Sequence, residues 1–595
     1  MSILASLVQA YERLPNAPAP GYSTEKVGFV ISLDANGRIA HLSDLRIADG
    51  KKLSPRPMLV PQPVKRTVAP ASNSLWDKTS YALGVTAGEG KRTADEHAKF
   101  VAHQEELLAG ATDEGLAAFL AFLRDWRPER FAELGWPDDL KDQNVVFALE
   151  SERRNGVYLH DRPAAKEALA RMTGQKSGSP QICLVTGKPG PVARLHPSIK
   201  GVWGAQSSGA ALISFNLDAF KSYGHEQGDN APVGEYAAFA YTTMLNLFLE
   251  RGSGHRIQVG DASTVFWADS RDAVAAASAE SLFREMIDPQ SPDEAEAAAV
   301  EEEQAANAGA TRQIADKLRR LTQGEPLTEV EPALADGVRF YVLGLAPNAA
   351  RLSVRFYVED DFGVIARRYL EHVERMRIEP PPRGAAPSMW RLLIETASQR
   401  KSENIPPQLA GDWLRAILAG TQYPLTLLSV VLMRIRADHD VNALRVSIIK
   451  AVLVNNFEMK QEAPVALDPE NSNPAYLLGR LFAVLEKTQH LALGNVNASI
   501  KDRYYGSASA TPRSVFPLLL RMNVHHQSKA LGNSKGLAGY FASQLSEIMN
   551  AFPAEFPAIL SLQSQGAFAL GYFHQMNRRK SSDADEPATV SEEQL

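Results

Sequence analysis

From residue 389 onward the chain repeats one pattern, apolar side chains at i, i+3 and i+4. Eight segments carry it: 389–398, 406–418, 424–435, 441–457, 476–493, 512–529, 537–552 and 558–576. Leu537, Tyr540, Phe541, Leu545, Ile548 and Phe552 show the spacing well. Each such helix has an apolar stripe that another element must cover, so this part is constrained to a helical bundle. The junctions near 464–474 and 507–512 are loop-like.

The first half reads differently. A helix over 2–14, stopped by Pro15, precedes strands at 27–33 and 38–44, joined by a turn at 34–37. Residues 55–70 hold five prolines and read as an extended, draped segment. Helices are expected at 97–126, 162–173 and 236–250. Further strands are expected at 144–149, 156–159, 181–186, 210–215, 257–259, 264–267, 338–343 and 353–358. Residues 271–310 carry ten acids against two arginines and are rich in Ala, which predicts a solvated helical insertion or a flexible lid. Three prolines within 379–384 mark a boundary. The fold class is therefore α+β, a mixed β-rich N-terminal region followed by an all-α C-terminal helical bundle.

Charge distribution carries the functional signal. The formal net charge is −6, which excludes a uniformly basic nucleic-acid binder. Yet 168–217 is fifty residues without one Asp or Glu, and it holds Arg171, Lys176, Lys188, Arg194, Lys200 and His196. Residues 487–546 hold a single acid, Asp502, among Lys487, Lys501, Arg503, Arg513, Arg521, Lys529 and Lys535. Both stretches suit a polyanion. The plain alternatives are an unevenly charged loop region for the first and a protein-docking face for the second. At 71–84, Asn73 and Lys78 can read a base edge and hold a phosphate. Equally, the segment can be an Asx-turn leading into a strand with Trp76 in the core.

Catalytic signatures are missing. A phosphate-binding loop needs G-x-x-x-x-G-K-[ST], but around Gly90-Lys91 Val85 replaces the first Gly and Arg92 the hydroxyl residue. His439-Asp440 resembles the pair of metal-dependent phosphohydrolases, which keeps a nuclease as the alternative reading; a helix-end charge cluster is the plainer one. His525 and His526 are adjacent and point apart on a helix. No G-x-S-x-G elbow surrounds Ser207-Ser208. The one cysteine, Cys183, sits in an apolar run and reads as a buried small side chain. With no signal peptide and no apolar run near the ~20 residues of a membrane span, the expected compartment is the cytoplasm. The reading is of a binding protein, not an enzyme, with no catalytic residue, metal or cofactor assigned.

The motifs CLVTG (183–187), ARLHPSIKGV (193–202), GAQSSGAALISFN (204–216), SYG (222–224) and QGDNAPV (227–233) stand in an order that resembles the large subunit of the type I-C CRISPR Cascade complex. ASNSLWDKTSYALG (71–84), EYAAFAYTTMLNLFL (235–249) and NPAYLLGRLFAVLEKTQ (473–489) extend the resemblance over most of the chain. It implies a subunit that senses the protospacer-adjacent motif in double-stranded DNA and helps open the duplex. It implies support for the displaced strand and recruitment of a separate helicase–nuclease, while guide pairing reads the sequence. The implied partners are the guide RNA complex (the 5′-handle-binding, backbone and small subunits) and displaced single-stranded DNA.

Placed on that frame, Asn73 and Gln206 are base-edge candidates, and Lys78, Arg194 and Lys200 phosphate contacts. Ser207, Ser208 and Asn216 stand beside them. Lys487, Lys501, Arg503, Arg521, Lys529 and Lys535 would hold the displaced strand. The domains would be 1–270 for motif sensing and docking, 271–312 an insertion or linker, 313–380 the remaining α+β part, 381–458 a helical connector, 459–580 a bundle resembling the small subunit, and 581–595 a disordered tail. The bundle would also be made separately from an internal start at Met459 or Val465.

Overall fold

The computed structural model describes residues 2–578, apart from 176–180, 289–315, 383–386 and the short gaps 16, 50–51, 65, 67–69, 318–319, 322, 324, 335–336, 495 and 554. The expected tail at 581–595 and the most acidic part of 271–310 lie outside the described residues. The chain forms two compact units, Met1–Ser198 with Ala211–Asn246, and Ile199–Ala210 with Leu247–Leu595.

The first unit is built on a four-stranded sheet ordered Ile39–Asp44, Phe29–Leu33, Asn144–Leu149, Trp76–Lys78. The central pair, Phe29–Leu33 and Asn144–Leu149, is parallel and almost wholly apolar because both faces are covered. Phe29, Ile31, Leu33, Val145 and Phe147 pack beneath the helices Thr93–Leu107 and Glu114–Asp125, whereas Val30, Trp76, Val146 and Ala148 face the other way. The hairpin turn at 34–37 is fixed by Asp34, whose Oδ1 accepts from Asn36 N and Arg38 N. Gly37 lies at φ +81, where a Cβ would meet Ala118 O at 2.5 Å, so the turn docks on the Glu114–Asp125 helix. The Pro-rich stretch is extended over residues 56–61, while 65 and 67–69 lie outside the described residues. Arg56–Pro61 pairs antiparallel with Tyr22–Val27, and edge pairing tolerates its prolines.

The expected single helix over 97–126 is two helices. Asp113 caps the second by accepting from Leu116 N at 3.1 Å, which ends the periodicity of the first. The strand expected at 156–159 is a turn leading into the 3-10 helix Leu159–Asp161.

The second unit carries an antiparallel meander, Arg256–Val259, Ala262–Asp269, Arg339–Asn348 and Arg351–Asp361. Phe266 and Phe340 project from one face onto Phe283 and Phe362. Phe283 belongs to the Ala273–Ile287 helix, whose Ala275, Ala279, Leu282, Phe283 and Met286 are buried. This start of the acidic stretch is thus a core helix, not a wet surface. The acids that follow it in sequence mask an apolar face at helical spacing. The amphipathic helix Phe362–Met376 was not expected either; it is capped by Asp361 through Gly363 N.

The helices beyond 389 follow the sequence closely, with one addition, Ile500–Ala510. One apolar core runs from Ile257 to Phe573, so the bundle and the meander share it. Its tightest point is the crossing of Pro474–Leu493 with Leu562–Met576. A Cβ on Gly479 would stand 2.0 Å from Phe568 O, and one on Gly571 2.1 Å from Tyr476 O. Among the described residues no helix is long and apolar enough to cross a membrane.

Gly479→Ala and Gly571→Ala should each destabilise the fold by about 1–3 kcal/mol through overpacking. Gly539→Ala, with nothing within 4 Å of its Cβ and lying inside the helix Lys535–Ala551, should gain up to ~1 kcal/mol from helix propensity. Thermal unfolding midpoints check this, and equal midpoints for the three variants would contradict the close-crossing geometry.

Candidate nucleic-acid interface

The fifty-residue acid-free stretch contributes to both units. In the second unit, Ile199–Ala210 forms a short tongue. Ile199 and Ala210 exchange both backbone hydrogen bonds at 2.9 Å. Ala205 N donates to Val202 O at 3.1 Å and Gly209 N to Gln206 O at 2.9 Å, giving two successive turns. Ile199, Val202 and Ala210 are buried anchors. Gly201, at φ +85, allows the backbone to pass Leu249, where a Cβ would meet the carbonyl oxygen at 2.8 Å. Trp203 N donates to Ser263 Oγ at 2.9 Å and ties the tongue to the meander. With the anchors inward, Lys200, Gln206, Ser207 and Ser208 are exposed. These four candidates are brought together on one mount.

The first unit holds Asn73, Lys78, Arg194 and Asn216. Lys78, Arg194 and Asn216 are exposed. Arg194 sits in an irregular segment held from below: its carbonyl accepts from Gly228 N at 3.1 Å, and Ala193 N donates to Val233 O at 2.9 Å. Cys183 is buried, and its Sγ accepts from Gly234 N at 3.1 Å, as expected of a packing residue. The strands expected at 181–186 and 210–215 shrink to a two-residue ladder, Gln181–Ile182 with Pro189–Gly190, and isolated bridges.

Asn73 needs correcting. It is buried, and its Oδ1 accepts from Val64 N at 3.0 Å. Its backbone N–H donates to Asp77 Oδ2 at 2.9 Å, and its carbonyl accepts from Gln104 Nε2 at 2.7 Å. Asp77 in turn holds Arg66, whose guanidinium lies 3.9 Å from the Tyr81 ring centroid. Asn73 therefore fastens the Pro-rich segment to the strand Trp76–Lys78. The geometry is that of the plain alternative, with Trp76 in the core. No amide edge is left for a base in this conformation.

In the C-terminal set, Arg503, Arg521, Lys529 and Lys535 are exposed and Lys501 is half-buried. Arg521, His525 and Lys529 recur every fourth residue along Pro512–Asn533, forming one exposed stripe. The single acid of the stretch, Asp502, is occupied as half of a capping box with Ser499, and the N–H and hydroxyl it accepts hold its carboxyl below the ordinary value. Lys487 departs from expectation. Its Nζ is turned inward and donates to Gln575 O at 2.9 Å; burial, with Arg578 nearby, pulls its pKa down to about 8. It belongs to the bundle interior rather than to the basic face.

His439-Asp440 forms a charge cluster at a helix end. His439 adopts φ 51 after the helix Leu425–Asp438. Asp440 accepts from Arg400 and Asn442, and fully buried Arg445 pairs with Glu395 at 2.9 Å and Asp438 at 2.5 Å. The carboxylates are committed to guanidinium groups. Among the described residues no group of three or more His, Cys, Asp or Glu is placed to hold a metal.

The residue chemistry singled out from sequence omits Trp203, which is exposed on the tongue. The available signal was a Trp followed by Gly inside an acid-free run.

A family profile described as CRISPR-associated protein (Cas_Csd1) matches residues 7–580. No curated protein matches the chain.

Two consequences can be measured without nucleic acid. Asn73→Ala should lower folding stability by about 1 kcal/mol; a variant of unchanged stability that binds DNA less well would restore Asn73 as a base reader. For Lys487, the folded pKa of about 8 lies below the ordinary 10.5, so its charged form disfavours the fold below about pH 8. As pH rises from about 8 towards 10.5, stability of the wild type relative to Lys487→Met should increase. A pH-independent difference in denaturant midpoints would contradict the inward placement.

Proposed function

The chain belongs to the Cas_Csd1 family of CRISPR-associated proteins, whose profile spans nearly its whole length, and from that premise we propose that it is the DNA-gripping large subunit of a type I-C RNA-guided interference complex. In this reading it recognises the protospacer-adjacent motif in duplex DNA, helps separate the strands, steadies the R-loop and recruits a separate helicase–nuclease. It contributes no catalytic residue, and it works in the cytoplasm beside the guide RNA and the other subunits.

One observation carries the reading. The cations and amides singled out in the two acid-poor stretches are mostly exposed, while Asp502 is taken up by a cap and Glu547 by ion pairs. Arg194, Lys200, Gln206, Ser207, Ser208 and Asn216 are exposed in the first stretch, Arg503, Arg521, Lys529 and Lys535 in the second, and Lys78 at the end of the strand Trp76–Lys78. Gln206 stands at a turn on a rigid tongue, which suits a bidentate contact to a base edge. The stripe Arg521–Lys529 suits the backbone of a displaced strand.

A separately made C-terminal fragment is part of the proposal. A chain starting at Met459 keeps the Gly479–Gly571 crossing. It loses the Ala443–Phe457 helix, whose Ile449 and Leu453 lie against Gly566.

The test is binding of the complex, co-expressed with its guide-bearing partners, to duplexes that differ only in the adjacent motif. Gln206→Ala should cost about 1–3 kcal/mol on the correct motif and much less on a wrong one. Neutralising Arg503, Arg521, Lys529 and Lys535 together should reduce the salt-dependence slope by about 0.7 per lost phosphate contact. Motif-independent binding with an unchanged slope would leave only a structural assembly role.

A further inference from the structure

We propose that Trp203 is a stacking platform for one unpaired nucleobase. The proposal rests on the DNA-binding reading above and adds a ligand contact that the basic and amide side chains do not provide.

The first ground is exposure. Trp203 is 64% exposed, with Trp390 at 54%, whereas Trp76, Trp126, Trp267 and Trp413 are 2% exposed or less. An indole is among the largest apolar surfaces a chain can bury, so leaving it in water forfeits a large hydrophobic gain. The second ground is the mount. The backbone beneath the ring is fixed by Trp203 N to Ser263 Oγ, by the Ile199–Ala210 pair and by buried Val202. The indole thus projects from a pinned turn rather than from a loose loop. Gly204 follows it at φ +75, a backbone conformation that lets the turn close.

The third ground is the chemistry around it. The other exposed side chains of the tongue are Lys200, Gln206, Ser207 and Ser208, and no acid stands between 168 and 217. An aromatic that docks a protein core generally sits within an apolar patch. Here a flat apolar ring shares one short tongue with an exposed cation, an amide and hydroxyls. That combination matches a nucleotide, with a π-face for the ring and phosphate and base edges for the polar groups. The base must be unpaired and unstacked, because in an intact duplex both its faces are covered. The occupant is therefore single-stranded DNA at the edge of opened duplex.

The test uses the full chain in its complex with guide partners. Target duplexes carry a single abasic nucleotide walked along the displaced strand beside the adjacent motif. On unmodified duplex, Trp203→Ala should weaken binding about tenfold, Trp203→Phe should keep most of the affinity, and Trp203→Leu should not. At one position the abasic nucleotide should weaken the wild type and erase its advantage over Trp203→Ala. Equal weakening by Ala, Phe and Leu, or an Ala penalty that survives every abasic position, would overturn the proposal while leaving motif-dependent binding intact. Motif-independent or absent binding by the wild type would overturn the DNA-binding reading itself, and this one with it. Because the ring is exposed, unfolding midpoints of the three variants should match the wild type; a drop would assign the residue to the fold instead.

Discussion

Two helix backbones in contact set the geometry of the C-terminal half. With no Cβ at Gly479 or Gly571, Pro474–Leu493 and Leu562–Met576 approach closely enough for side chains beside the crossing to bond across it. Tyr476 OH meets His574 Nδ1 at 2.9 Å, and Arg480 Nε donates to Gln575 Oε1 at 3.1 Å. Arg480 is fully buried at this point, and a buried cation needs a counter-charge. Glu547 supplies it at 2.5 Å from the helix Lys535–Ala551, and takes Arg578 as well at 3.1 Å. The crossing therefore decides where an acid must stand, at the half-buried rim beside Arg480.

That requirement links packing to surface charge. Glu547 ends a sixty-residue run with one acid, and the acid within the run is committed to a cap. Arg513 pairs with Glu555 on the surface at 3.4 Å. The first unit disposes of its acids similarly: Asp77 serves Arg66, and Asp113 serves Arg162 at 2.8 Å while capping a helix. Exposed ion pairs contribute little to stability, about 0–1 kcal/mol each. What the arrangement leaves outside is a set of exposed cations, Arg503, Arg521, Lys529 and Lys535, on a chain whose net charge is −6. Asp440, tied to Arg400 beside buried Arg445, follows the same rule, which is why the pair His439-Asp440 reads as structure.

The sequence was most legible where periodicity alone decides the outcome. Helices after 389 emerge within a few residues of expectation, since each apolar stripe has a single way to be covered. It was least legible where partners are distant in sequence. Asn73 has the side chain of a base reader, and only the fold brings Val64 N and Gln104 to it. The Ala273–Ile287 helix looked solvated because the acid-rich sequence after it sets the composition of 271–310, although Ala275, Ala279, Leu282 and Met286 keep helical spacing. Lys487 followed the same course: its charge was visible, but its direction is set by Gln575 on a helix 88 residues away.

The segment 181–234 shows why loop-rich sequence need not mean loose structure. It forms almost no ladder, yet its backbone is held by a few long-range bonds: Leu184 N to Pro232 O at 2.9 Å, Ala193 N to Val233 O at 2.9 Å and Gly228 N to Arg194 O at 3.1 Å. Regular strands would point alternate side chains to opposite faces and give half of them to a core. An irregular backbone fixed at intervals can instead turn consecutive residues outward, as Gln206, Ser207 and Ser208 do between the anchors Val202 and Ala210. A ligand meeting such a surface does not have to order it first, so less of the contact energy is lost to entropy. Glycine at Gly201, Gly204 and Gly209, all at positive φ, makes that path possible. The motif run at 201–209 is therefore best understood as a backbone specification, with the outward side chains as its consequence.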